Sequence, residues 1–408
     1  MSHSVVDNGH RRSSLLAAVF LMATSAIGPG FITQTASFTE SLGASFAFGI
    51  VACIVIDFVV QLSVWRICVQ TRLRAADVAN AALPGSGQVL ALLVMFGGLV
   101  FNVGNIAGAG LGLNALLGIS PLWGGAISAL IAIGIFLYRR AGKVIDRIML
   151  VMGVMMIVLT LYVAFRSQPP IGEALTQAVW PSSLDFVSIT TIVGGSVGGY
   201  ITYAGAHRLL DHGVAGSQHL GAVTKAAFNG VLVTGIMRFV LFLAILGVVA
   251  SGVDFHLHGA IANPAGQAFQ AAAGEFGLRA FGLIMWAAGI TSVMGAAYTS
   301  VSFVSVFKPA VTLSTRNRIT VVFILVSLAI FVLMGKPPAA LLVFAGGFNG
   351  LILPLGLTLF VYVAWRRQDL MGPPGYSRWL LLAGILVCLA SWYMAIDSFG
   401  TIFAYIGA

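Results

Sequence analysis

A small set of polar and charged residues is embedded in long apolar runs, and their types limit the chemistry open to them. Thr33, Gln34 and Thr35 follow Gly28, Pro29, Gly30 and Phe31 closely, within the stretch SAIGPGFITQT at residues 25–35. Ser196 and Tyr200 stand with Gly198 and Gly199 in VGGSVGGYIT, residues 193–202. Such hydroxyls and amides hold a solute by hydrogen bonds, and a tyrosine ring can also cover it. Asn102 and Asn105 are spaced i, i+3 and share a helix face, where amides bind water or a solute, or else join one helix to another.

Three charges lie in equally apolar surroundings: Glu40, Asp57 and Arg238. Arg238 follows Lys225 by thirteen residues, so on a continuous helix it sits roughly 20 Å deeper into the apolar run. An arginine there needs a partner, and two readings stand side by side: a structural ion pair with Glu40 or Asp57, or a counter-ion for an anionic ligand. Either acid, by taking up and releasing a proton, would couple transport to a proton gradient. Sodium is the alternative coupling ion. Gly194-Gly195-Ser196-Val197-Gly198 also fits the Gly-x-Ser-x-Gly pattern of serine hydrolases. Its only nearby base, His207, is about 16 Å away if the segment is helical, and the strand-turn-helix setting is missing, so no enzyme is expected. His256 and His258 are two imidazoles without further ligands, too few for a metal site.

These residues must be positioned by helices in a membrane. Of 408 residues, 59% are hydrophobic and 8% charged, and apolar runs long enough to cross ~30 Å of hydrocarbon recur along the chain. Eleven spans are expected, near 15–42, 45–66, 88–116, 121–138, 144–165, 185–206, 226–251, 276–307, 319–334, 339–365 and 379–399. No soluble domain and no cleaved leader are expected. A formal charge of +9 would suggest nucleic acid in a soluble protein. Threading the spans from a cytoplasmic N-terminus, residues 1–14, instead leaves all Lys and Arg inside except Arg166, Lys336, Arg279 and the embedded Arg238. The partners implied are the bilayer of a cytoplasmic (inner) membrane and a small solute. No cofactor and no nucleic acid are expected, and a monomer suffices. Cys53, Cys68 and Cys388 are scattered and read as packing residues.

Gly-Pro-Gly at the centre of a membrane span breaks its helix, and the second glycine cluster lies at the same place in the sixth span. Both clusters end Gly-aromatic-Ile-Thr, at residues 30–33 and 199–202. Five spans separate the two breaks, so residues 15–165 and 185–365 form two inverted repeats, with 379–408 added. Paired breaks of this kind mark a secondary transporter's binding site at mid-membrane. Other glycine-rich stretches, such as Gly108, Gly110 and Gly112, read as packing faces.

With these features the chain resembles the NRAMP family of divalent-metal transporters. The resemblance rests on Leu42 to Phe46, on Leu117-Gly118-Ile119-Ser120, on Val193-Gly194 and on Leu353-Pro354. It implies an all-α membrane protein with the LeuT-type 5+5 inverted repeat and broken helices 1 and 6. The functional motifs depart from the family. Gly28-Pro29-Gly30-Phe31 stands where the resemblance implies Asp-Pro-Gly-Asn, and no acid occurs from Leu15 to Thr39. Gly198-Gly199-Tyr200 replaces Met-Pro-His, and Asn102 and Asn105 replace an Asp and a Glu tied to proton movement. A divalent cation needs charged oxygen or sulfur ligands to replace its hydration shell. The expectation is therefore an ion-coupled carrier of a small organic acid. The chain further resembles a bacterial branch encoded beside 5-oxoprolinase subunits, which implies 5-oxoproline as cargo. The alternative cargo is a divalent metal such as Mn, Fe or Mg.

Overall fold

The structure is a computed structural model, and it describes every residue except 1, 138–140, 253–262, 309–310, 374 and 408. His256 and His258 lie outside the described residues, as do Arg139 and Arg140. Among the described residues every regular element is a helix. That is the outcome hydrocarbon demands, because backbone N–H and C=O groups find partners there only within the segment itself.

The first expected span is two helices, α1 (Ser2–Ala26) and α2 (Pro29–Leu42). The helix backbone of α1 extends through the polar tail instead of starting near residue 15. Then come α3 (Phe46–Thr71), the short α4 (Ala75–Ala82), α5 (Ser86–Leu117), α6 (Pro121–Leu137), α7 (Ala141–Ser167) and α8 (Ile171–Val179). The sixth span is again two helices, α9 (Phe186–Ser196) and α10 (Ile201–Asp211). They are followed by α11 (Leu220–Ala250), α12 (Pro264–Ser302), α13 (Leu313–Met334), α14 (Pro338–Arg366), α15 (Gln368–Met371) and α16 (Arg378–Gly407).

A helix therefore covers each of the eleven expected stretches. Among the described residues, seven helical stretches are long and apolar enough to cross a membrane, or eight if the pair bent by 107° at residues 168–170 is one span. The first of these runs 59 residues from Ser13 to Thr71, about 90 Å of helix and far more than one crossing. It is divided at Gly43, whose φ of 55° is open to glycine at little cost. The eighth expected span begins earlier than the hydropathy suggests. Pro264 occupies its first turn, the Asn263 side chain accepts from the Gly266 N–H at 3.0 Å, and Gly274 at φ 62° then kinks the helix just before residue 276.

Small residues let the central helices approach closely. On α5, a Cβ at Gly112 would collide with the Trp286 backbone of α12, and one at Gly108 with Pro29. Gly282 and Gly289 of α12 face the α5 backbone in turn, so this stretch is the packing face expected. Gly194 of α9 meets the backbones of Gly346 and Gly350 on α14 equally closely. Along α16, Leu382, Leu386, Leu389, Tyr393 and Ile396 are exposed at helical spacing, which makes that side a lipid face. The three cysteines are buried and unpaired with one another.

Candidate binding site at the two helix breaks

The first break is built by its own sequence. Gly28 caps α2 with an extended ψ of −179°, and Pro29 takes the first helical position, where its missing N–H costs nothing. A Cβ at Gly28 would lie 2.7 Å from Ser292 Oγ. Ser292 in turn donates to the Thr24 carbonyl at 3.3 Å, so α12 satisfies an acceptor left over at the end of α1. In the second break, the N–H groups of Val197 and Gly198 both donate to the Val193 carbonyl, at 2.7 and 3.0 Å. Gly199 then turns at φ 59°, in the left-handed region. Gly198 and Gly199 rest on Asn349, whose Nδ2 donates to the Gly97 and Ala345 carbonyls at 3.0 and 2.8 Å. At the start of α2 the Gly30 and Phe31 N–H groups have no carbonyl one turn before them within the helix, whereas Ile201 and Tyr203 at the start of α10 already donate to the Gly198 and Tyr200 carbonyls, so it is the start of α2 that favours an anion.

Around the breaks, polar side chains are buried with unspent hydrogen-bonding capacity. The Tyr200 hydroxyl faces Ser25 and Asn105, its two polar neighbours, without a close, well-aligned hydrogen bond to either. Thr33 Oγ1, Thr35 Oγ1 and Gln34 Oε1 are likewise unpartnered. Buried polar atoms are otherwise nearly always paired, so a cluster of such atoms at two backbone breaks fits a polar ligand. Phe101 meets the Tyr200 ring edge-on at 5.4 Å and bounds the site on the α5 side. Gln34 also has a structural task. Its Nε2 donates to the Leu342 carbonyl at 2.8 Å, and its amide fills the space that Cβ atoms at Gly195 and Gly346 would take, locking α2, α9 and α14 together.

Beside both breaks lies an ion pair. Arg238 Nη1 donates to Asp57 Oδ2 at 2.7 Å, with both side chains fully buried. Its Nη2 donates to the Ser196 carbonyl at 3.2 Å, and the guanidinium lies 5.7 Å from the centre of the Phe31 ring. Gln61, one turn later on α3, faces the Asp57 carboxylate, and Arg238 Nε has no close hydrogen-bond partner. Of the two acids expected for Arg238, the structure therefore selects Asp57. Glu40, near the end of α2, lies outside the pair. The helix rotation that brings Asp57 to α11 could not be read from spacing.

Asn102 and Asn105 diverge despite their shared face. Asn102 Nδ2 donates to Ser327 Oγ of α13 at 3.1 Å, a helix-joining bond, while Asn105 turns toward Tyr200. The Ser196 hydroxyl donates to the Ile192 carbonyl at 2.7 Å and contacts Cys53 Sγ at 3.1 Å, with no base beside it. His207 is engaged elsewhere. Its Nε2 accepts from the Ala75 N–H at 3.1 Å, which places the ring proton on Nδ1, 2.6 Å from Ser302 Oγ. Asp211, the last residue of α10, receives Arg74, Arg316 and the Tyr298 hydroxyl. Burial alone would raise the Asp211 carboxyl, but Arg74, Tyr298 and Arg316 outweigh it and hold the group below the usual carboxylate range.

Among the described residues, no group of three or more His, Cys, Asp or Glu is gathered that could hold a metal ion. Ser25, Ser292 and Asn349 belong to the site but do not stand out in the sequence. Each is a single small polar residue in an apolar run, and only its neighbours in space give it a role.

Comparison with known proteins agrees with this architecture. A manganese transporter of Eremococcus coleocola, solved with an aromatic bis-isothiourea compound, superposes with a TM-score of 0.76 at 15% identity, covering 97% of this chain and 92% of the other. MhsT in complex with L-phenylalanine superposes at 0.64 and 17% identity, covering 96% and 98%. Both likenesses are likenesses of fold. In sequence, the chain is 48% identical over 399 residues, 98% of each chain, to a protein of Haemophilus influenzae described as an uncharacterized membrane protein. It is 49% identical over 384 residues, 94% of this chain and 93% of the other, to a Bacillus subtilis protein of the same description. The profile of the Natural resistance-associated macrophage protein-like family matches residues 19–399. With two broken helices meeting inside the helix bundle and that match over nearly its whole length, the chain belongs to the Nramp family of multi-pass membrane transporters.

Proposed function

We propose that the protein is a secondary transporter for a small organic anion, a monocarboxylate of the size of 5-oxoproline. The observation that carries this reading is the Asp57–Arg238 pair set against the start of α2 and the end of α9, with no acid among the break residues. The site thus offers guanidinium and amide N–H donors, hydroxyls and side-chain amides. These suit a carboxylate better than a hard dication, which needs several anionic oxygens. The substrate contacts fall to Gly28, Pro29, Gly30, Phe31, Thr33, Gln34 and Thr35 on one side and to Ser196, Gly198, Gly199 and Tyr200 on the other. Residues 15–165 and 185–365 are the two repeats that rock about this point. The basic residues at one end set that end in the cytoplasm, with the chain in an inner membrane. All the named groups come from one chain, so a monomer is complete.

A second reading, transport of a divalent metal, is favoured by the family and by the manganese transporters that share the fold. Its ligands would be Thr, Gln and Tyr oxygens and the carbonyls freed at the breaks. Proteoliposomes holding the purified protein decide between the two. Saturable uptake of radiolabelled 5-oxoproline, unaffected by a large excess of Mn²⁺, is expected. Saturable Mn²⁺ uptake with none of 5-oxoproline or lactate would reverse the assignment.

A further inference from the structure

The ion pair is placed to do more than bind. Arg238 touches three elements at once: Asp57 on α3, the Ser196 carbonyl where α9 ends, and the Phe31 ring in the first turn of α2. Two of these contacts are the edges of the two breaks. The charged and titratable groups that face Asp57 are Arg238 from α11 and Cys53, one turn earlier on its own helix. Gln61 lies one turn later, and from α9 the neighbours are the Ser196 hydroxyl and carbonyl. Asp57 Oδ1 and Arg238 Nε both have hydrogen-bonding capacity to spare. The amides Asn102 and Asn105 cannot take a proton.

We propose that Asp57 is the proton-coupling group of this transporter and that the solute carboxylate replaces it on Arg238. The inference rests on the organic-anion reading above. In the outward-exposed state a proton from outside adds to the Asp57 carboxylate, and the ion pair breaks. Arg238 keeps its positive charge, and its freed Nη1 and Nε donors take the incoming carboxylate. In the inward-exposed state the proton leaves Asp57 for the cytoplasm. The regenerated carboxylate takes Arg238 back, and the solute departs.

The charge count makes the scheme specific. The empty site holds Asp57⁻ and Arg238⁺, and the loaded site holds neutral Asp57, Arg238⁺ and one carboxylate. Both are neutral, so neither return step carries an unpaired charge through hydrocarbon. One proton therefore moves with each monocarboxylate, and transport is electroneutral.

The test uses the full chain in proteoliposomes with radiolabelled 5-oxoproline as probe. A gradient of one pH unit, acid outside, should drive up to about tenfold accumulation, and a potassium diffusion potential should not change it. Asp57→Asn should abolish accumulation yet keep equilibrium exchange of the probe, which also reports that the variant is folded, and the exchange should no longer depend on pH. Asp57→Glu should restore accumulation. Infrared difference spectra of the solute-free protein between mildly alkaline and mildly acidic pH should contain a protonated-carboxyl band that Asp57→Asn removes. Unchanged gradient-driven uptake in Asp57→Asn, uptake driven by membrane potential, or lack of that band in the wild type would each overturn the inference. An Asp57 band in a protein that moves no 5-oxoproline would refute the cargo and leave the proton site standing.

Discussion

Arg238 and Asp57 are the residues whose removal separates energy from function. A buried pair contributes little net stability over an apolar replacement, but taking away one partner strands the other charge without water. Arg238→Met alone is expected to cost about 3–5 kcal/mol, and Asp57→Leu alone a similar amount. The double substitution should return to within about 1–2 kcal/mol of the wild type, or exceed it. Chemical unfolding in detergent micelles checks this, and additive single effects would contradict it. The sequence identified the arginine and its two candidate acids, because charges in an apolar run are conspicuous. It could not choose between Glu40 and Asp57, since that choice depends on how α3 is turned toward α11.

At the scale of elements, the breaks and the C-terminal end of α10 do different work. The breaks leave backbone groups open within the bundle, while the C-terminal end of α10 is tied to its neighbours by charge. Asp211 joins Arg74, which precedes α4, to Tyr298 on α12 and Arg316 on α13, and Arg208 and Arg316 both stack on the Tyr298 ring. This network ties the C-terminal end of α10 to α12, α13 and the segment before α4. Its carboxyl titrates below the usual range when folded. The stabilisation it gives is therefore full above the ordinary carboxylate pKa of about 3.9 and is lost as pH falls through the lower folded value. Asp211→Asn should lower the thermal midpoint at neutral pH, and the difference from wild type should shrink toward zero in strong acid. A gap that widened on acidification would refute the assignment. His207 beside it accepts the Ala75 N–H through Nε2, so the neutral ring holds α4 to α10.

For the whole molecule, the proposed orientation rests on charge and crossing number together. If, as proposed, the N-terminus is cytoplasmic and the chain crosses eleven times, the C-terminus after α16 lies on the outer side. An alkaline phosphatase fused after residue 408 should be active and a green fluorescent protein dark. The reverse result would require an even number of crossings or an inverted chain. The family match and the superposition on transporters fix the architecture, while cargo and coupling are set by few residues, because one fold carries many functions. That division explains how a manganese transporter and a protein that binds L-phenylalanine can share this chain's fold.

The sequence by itself determined the membrane class, the place of both breaks and the presence of isolated charges in apolar runs, because each is a local property. Apolar run length, Gly-Pro-Gly within a span and a charge without neighbours of its own kind are all legible one segment at a time. Only the tertiary structure decided which groups meet. It paired Arg238 with Asp57, sent Asn102 to Ser327 and Asn105 to Tyr200, and brought Ser25, Ser292 and Asn349 to the breaks. Such meetings depend on helix rotation and on glycine-to-backbone contacts between α5, α12, α9 and α14, distances that no spacing along a single helix records.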